Sequence, residues 1–153
     1  MTLSSSFRQA GPEASVDATG QIDVLLIDDS ADVRSLLERT LAHAGYSVRS
    51  CSDGHGALKL LSQQSFRLVV TDIYMPGMDG YEVIMKVNAT LPRPQVLAIS
   101  GGTMSVAGVN LRVAKNLGCQ RVLAKPFDLP DFYALVREMI GSPIAQTDPV
   151  PVI

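Results

Sequence analysis

Four apolar runs in this chain each end on polar residues able to handle charge. Ile22-Asp23-Val24-Leu25-Leu26-Ile27 ends at Asp28 and Asp29, and Phe66 to Val70 ends at Thr71 and Asp72. Gln95 to Ile99 ends at Ser100, and Arg121 to Ala124 ends at Lys125. Brought to one edge, the three carboxylates would repel, since two unit charges about 4 Å apart cost roughly 4 kcal/mol at an effective dielectric of 20. A hard divalent cation removes that cost. Mg²⁺ suits a site with few carboxylates, several waters and phosphate oxygens. Asp28 and Asp29 are therefore predicted Mg²⁺ ligands, with Asp72 adding a further oxygen. Asp72 is also the candidate nucleophile, because a carboxylate can attack a phosphoryl group and form an aspartyl phosphate. The transition state of that transfer spreads negative charge over the equatorial oxygens. Lys125 can meet this charge, Ser100 can offer a hydroxyl, and Gly101 leaves its backbone N–H unobstructed. Plainer readings exist for each part. Asp28-Asp29-Ser30 can be a helix cap only, although Ser30 alone suffices for that. Lys125 can be a snorkelling surface residue and Ser100 a strand-end hydroxyl.

Positioning these residues requires the elements between them. After Asp29, Ser30 can cap a helix with Val33, Leu36, Leu37, Thr40, Leu41 and Ala44 at helical spacing, and Gly45 stands where a left-handed cap belongs. Tyr46 to Cys51 reads as a short strand, and Gly56 to Gln64 as a helix with Leu58 and Leu61 inward. Beyond the Met75-Pro76-Gly77-Met78-Asp79-Gly80 turn, Val83, Ile84 and Val87 share a helix face, closed off by Pro92 and Pro94. Thr103 to Leu117 forms a weaker helix, with Gly118 closing it. Asp128 caps a last helix, tolerates Pro130 in its first turn, and precedes the inward stripe Phe132, Leu135, Val136, Met139 and Ile140. Strand and helix alternate five times, which argues for an open parallel α/β sheet. In such a sheet the ligand site lies outside the carboxyl ends of the strands. The polar cluster sits there.

The remaining features bound the function. A length of 153 residues holds one domain with a proper core. We read residues 1–20 as a disordered leader, 21–140 as the domain and 141–153, with Pro143, Pro149 and Pro151, as a flexible tail. The leader has no apolar h-region, and no stretch approaches the roughly 20 apolar residues of a membrane span. Cytoplasm without a membrane partner is the expectation. Cys51 and Cys119 have no metal-ligand spacing and read as reduced thiols. The formal net charge of -2 gives no reason to expect nucleic-acid binding. His43 and His55 read as exposed or capping residues. Met75, Met78, Met85, Met104 and Met139 read as packing or loop residues.

The blocks IDVLLIDDS, VVTDIYMPGMDGYEVI, VLAIS and VLAKPF resemble the four signature blocks of response-regulator receivers of two-component systems. The resemblance runs from about Ile22 to Ile140. It implies a doubly wound, flavodoxin-like fold with five parallel strands in the order 2-1-3-4-5 and helices on both faces. It implies phosphorylation at Asp72 by a sensor histidine kinase or histidine phosphotransfer protein. It implies Mg²⁺ held by Asp28, Asp29, Asp72 and the main-chain carbonyl of Tyr74. Ser100 and Lys125 take the switch and phosphate-binding roles, and the bond to Pro126 is cis. Because no helix-turn-helix or catalytic domain follows Ile140, signalling is expected to pass to a downstream protein target, provided these residues are the full chain. The protein would be a phosphoacceptor, not an enzyme beyond its own phosphorylation and dephosphorylation.

Two departures from the family pattern bear on output. Val122 stands where an aromatic side chain often follows phosphorylation, and Gly101-Gly102-Thr103-Met104-Ser105 lengthens the loop after the fourth strand. Two other readings compete. One is a degenerate receiver that docks partners without phosphorylation. The other is a phosphohydrolase with an aspartate nucleophile, although Asp-x-Asp after the first strand and a capping domain are both missing.

Overall fold

The computed structural model describes residues 20–74, 80–101 and 112–144. Five parallel strands pair in the order β2-β1-β3-β4-β5. They are β1 (Gln21–Ile27), β2 (Val48–Cys51), β3 (Ser65–Asp72), β4 (Gln95–Ser100) and β5 (Arg121–Ala124). The helices are α1 (Ala31–His43), α2 (Gly54–Gln63), α3 (Gly80–Asn88), α4, described over 112–116, and α5 (Leu129–Ile140). This is the doubly wound α/β arrangement that the resemblance implies.

The central strands are apolar on both sides because both sides are covered. Val24, Leu26, Leu68, Val70, Leu97 and Ile99 pack with Leu37 and Leu41 of α1 and with Phe132 and Val136 of α5. The alternate residues Leu25, Ile27, Val69, Val96 and Ala98 pack with Ala57 of α2, with Val83 and Val87 of α3, and with Ala114. Period-two alternation thus sends neighbouring residues to opposite helical layers. Gly45 and Gly118 take positive φ after α1 and α4, as helix-closing glycines do.

Several boundaries move, each for a local reason. α2 begins at Gly54, not Gly56, because Asp53 caps it through Gly56 N–H at 2.7 Å. β2 begins at Val48, since the Tyr46 N–H returns to the Leu41 carbonyl and Ser47 bonds Asp23. β3 runs on to Asp72 because its ladder with β4 continues to Asp72↔Ile99. Leu36, placed in the apolar stripe of α1, is 43% exposed. Asp128 occupies the N-cap position of α5 without making a side-chain capping bond. The proposed helix from Thr103 and the Met75–Asp79 part of the turn lie outside the described residues.

At the opposite end of the sheet from the acids, Asp23 is fully buried yet fully partnered. It bonds Arg67 Nη1 at 2.6 Å, the Ser47 N–H at 2.9 Å and the Ile144 N–H at 3.3 Å. Arg67 also donates to the carbonyls of Ile140 and Ser142, and Tyr46 donates to that of Gly141. The first residues assigned to the tail, 141–144, are therefore tied under the sheet, and Pro143 is buried. Removing one member of a buried ion pair strands the other charge. Arg67→Ala should cost about 3 kcal/mol in urea unfolding. It should also speed amide exchange at Ile144. An unchanged midpoint with an unchanged Ile144 amide would show the clasp contributes nothing.

Candidate functional site

Parallel pairing brings the sequence-selected residues to one edge. Ile27 pairs with Thr71, Asp72 with Ile99, and Ser100 with Ala124, so Asp28, Asp72, Ser100 and Lys125 follow one another across the strand ends. Carboxylate oxygens of Asp28, Asp29 and Asp72 lie within 4.8 Å of one another. Asp28 and Asp72 are buried, whereas Asp29 is exposed. Lys125 reaches into this group, with Nζ 2.8 Å from Asp72 Oδ2 and 3.6 Å from Asp28 Oδ2. Its stem approaches over Gly101, and the Lys125–Pro126 peptide is cis.

Two of the three carboxylates are aimed by main chain. The Ser30 N–H donates to Asp28 Oδ1 at 2.8 Å, and the Tyr74 N–H donates to Asp72 Oδ1 at 3.0 Å. Ser30 also caps α1 through the Val33 N–H, so capping and acid placement share one turn. Ser100 is fully buried, and its carbonyl accepts the Lys125 N–H at 2.7 Å. A side chain at Gly101 would meet Lys125 only at ordinary contact distance, so neither space nor backbone demands glycine there. Val122 is partly buried against the layer of α2, α3 and Ala114. His43 and His55 are exposed on α1 and α2. Met85 is exposed and Met139 partly buried, while Met75, Met78 and Met104 lie outside the described residues.

The electrostatics are those of a pocket short of positive charge. Burial raises the Asp28 carboxyl above its ordinary value, opposed by the Ser30 N–H and Lys125 and reinforced by Asp72 and Asp29. Burial alone would lower Lys125. The hydrogen bond and charge of Asp72, with Asp28 behind them, outweigh it and raise the ammonium instead. Cys51 and Cys119 are both free; burial pushes Cys51 up to about 11 and also raises Cys119. Both thiols therefore stay protonated near neutrality, the unreactive form of the group.

Sequence reasoning missed two residues here. Gly80 opens α3 directly over the end of β3, where an added Cβ would lie 2.4 Å from the Asp72 carbonyl oxygen. It was legible as a turn glycine, not as the residue that lets α3 begin against Asp72. Arg34 donates to the Asp28 carbonyl at 2.8 Å, a contact its place in the α1 repeat does not reveal.

Comparison with known proteins bears directly on this arrangement. The model of the response regulator receiver domain family matches residues 24–137, and the chain belongs to that family. The transcriptional regulatory protein TctD of Salmonella typhimurium is 33% identical over 130 residues, covering 83% of this chain and 55% of that protein. The probable transcriptional regulator ycf27 of Guillardia theta is 31% identical over 125 residues, covering 82% of this chain and 48% of its own length. The chain thus spans about half the length of these curated relatives. Among solved structures, the receiver domain of NtrX from Brucella abortus matches with a TM-score of 0.71 and 26% identity, covering 77% of this chain and 98% of that one. Membership makes this a two-component signalling domain of phosphoacceptor type, a class that generally binds Mg²⁺ at an acidic pocket.

The surplus of negative charge has a measurable consequence. Asp28→Asn keeps an acceptor for the Ser30 N–H while removing one of three clustered charges. We expect the metal-free variant to gain on the order of 1 kcal/mol in stability. Mg²⁺ should raise the melting temperature of the unaltered chain and not that of the variant. A destabilised Asp28→Asn, or an equal response of both proteins to Mg²⁺, would contradict this account.

Proposed function

We propose that the chain is a phosphoacceptor switch that takes a phosphoryl group onto Asp72 from a sensor histidine kinase or histidine phosphotransfer protein. The observation that carries this reading is the buried Asp72 carboxylate, held between Lys125 at 2.8 Å and the acids Asp28 and Asp29. The three carboxylates fit Mg²⁺; Asp28, Asp29 and Asp72 would hold it, with the Tyr74 carbonyl as the further ligand that the family resemblance implies. When bound, the ion offsets the charge of the acids and of the incoming phosphoryl group.

The transfer balances simply. An Asp72 oxygen forms the new O–P bond as the N–P bond to the donor histidine breaks, and the departing imidazole nitrogen retains the bonding pair and takes up a proton. Lys125 meets the charge on the phosphoryl oxygens, and Ser100 with the Gly101 N–H supplies hydrogen bonds. An apolar groove of about 490 Å³ beside Lys125, lined by Val33, Leu36, Pro126, Phe127 and Leu129, suits docking of a donor helix against α1. Exposed Leu36 belongs to that groove.

Output passes to a protein target in this reading. The relatives' description as transcriptional regulators narrows the expectation of no nucleic-acid partner to the receiver domain itself. No helix among the described residues is long and apolar enough to cross a membrane, and cytoplasmic placement is part of the proposal. The loop from Gly101 toward Gly108 is our candidate for the moving element, given Val122; from residue 102 it lies outside the described residues. Family membership speaks against the phosphohydrolase.

Acetyl phosphate with Mg²⁺ should add one phosphoryl group by intact mass, Asp72→Asn should add none, and EDTA should suppress the reaction. A mass shift that survives in Asp72→Asn would refute the acceptor assignment. A folded, Mg²⁺-binding chain that never gains the mass, from acetyl phosphate or any histidine donor, would favour the docking module.

A further inference from the structure

The Asp28 carbonyl lies one residue past the end of both ladders of β1, whose last pairs are Ile27↔Cys51 and Ile27↔Thr71. The Asp28 N–H still reaches the Cys51 carbonyl at 3.2 Å, but its own carbonyl is taken by Arg34 Nη1 at 2.8 Å. The main chain of Arg34 is fixed in the first turn of α1. Its N–H bonds the Ser30 carbonyl at 2.9 Å in the first turn of α1, and Ser30 caps that same helix. A guanidinium also fixes direction better than an ammonium, because its donors lie in one plane.

What this bond fixes is the plane of the Asp28–Asp29 peptide. The Asp28 side chain does not depend on it, being held separately by the Ser30 N–H and facing Lys125. Asp29 does depend on it. Its exposed side chain makes no hydrogen bond or ion pair among the described residues, yet a carboxylate oxygen stays within 4.8 Å of those of Asp28 and Asp72. Repulsion from two like charges pushes it outward. The main chain on either side of Asp29 supplies the restraint: the Ser30 N–H bond to Asp28 Oδ1 brackets it from one side, and the Asp28–Asp29 peptide held by Arg34 from the other.

We propose that Arg34 is a positioning residue: by gripping the Asp28 carbonyl it sets the Asp28–Asp29 peptide and so aims the Asp29 carboxylate into the cation pocket. This rests on the Mg²⁺ reading above, and on residues of this chain alone for its geometry. Groups that orient ligands from behind typically cost 10–100-fold in metal affinity when removed, and an indirect grip belongs at the lower end.

The test is Mg²⁺ titration followed by amide chemical shifts, without phosphorylation. Five proteins are compared: the unaltered chain, Arg34→Ala, Arg34→Lys, Asp29→Ala and the double variant. Arg34→Ala should weaken Mg²⁺ binding about tenfold. Arg34→Lys should recover part of the loss. In the Asp29→Ala background the same Arg34→Ala change should alter affinity less than about twofold, since nothing remains to be aimed. A general loosening of the turn would instead weaken both backgrounds equally, and that outcome, or an unchanged affinity in Arg34→Ala, overturns the proposal. If Arg34→Ala does not fold, Arg34→Gln is carried through the same cycle with the same criteria. An unaltered chain that binds no Mg²⁺ defeats the metal reading and this inference together, a failure distinct from the others.

Discussion

Parallel pairing is the constraint from which the site follows. Every strand of a parallel sheet ends at the same edge, and here the ladders run to Ile27↔Thr71, Asp72↔Ile99 and Ser100↔Ala124. The central strands are buried on both faces, so polar side chains are admitted mainly where a strand stops. Four strand ends therefore pool their polar residues. Three acids from two of these ends, harmless apart, become a cluster within 4.8 Å, met among the described residues by Lys125.

The two ends of β1 show how differently a buried acid can be treated. At the base, Asp23 has an arginine, a serine and two backbone N–H groups around it, and this closed network fastens residues 140–144 to the sheet. A satisfied buried network of that kind specifies structure. At the top, Asp28 has one backbone N–H and a distant lysine, and two further carboxylates stand close by. That imbalance is poor structural engineering and good ligand chemistry, because a cation and an incoming phosphoryl group can complete it. One end of β1 is thus fastened by a satisfied network, and the other carries unbalanced carboxylates.

Much of this was legible in the sequence because its signals were periodic or terminal. Two-sided apolar strands and Val83, Ile84 and Val87 on one helix face announce a covered parallel sheet, and the acids announce themselves by ending those strands. The unread parts depend on pairs remote in sequence or on exact backbone approach. Arg67 lies 44 residues from Asp23, and nothing in either run indicates that they meet. Gly80 looks like any turn glycine until α3 is seen to start on the Asp72 carbonyl. Leu36 fits the apolar repeat of α1 yet faces a groove, because periodicity reports a stripe and not what covers it. Asp128 has the residue type of a cap without its bond, an exposed acid at a helix start being favoured by the helix dipole in any case.

A change at Asp72 must leave the site by a physical route, and the side-chain route is narrow. Val122 is β-branched, restricted about χ1 and partly buried against one helical layer, and it has no ring to swing. The main chain offers more. The Ile73 N–H bonds the Ile99 carbonyl, and the Lys125 N–H bonds the Ser100 carbonyl, so β3, β4 and β5 are linked in series right up to the edge that carries the acids. Farther down, Asn88 of α3 holds the Leu117 carbonyl after α4, and Arg93 braces Asn88 in turn. The end of α4 near the base is thereby tied to its neighbour, as α5 is tied through Arg67 to the sheet. Both helices are thus held at the base, at the opposite end of the sheet from the edge that carries Asp72, Ser100 and Lys125.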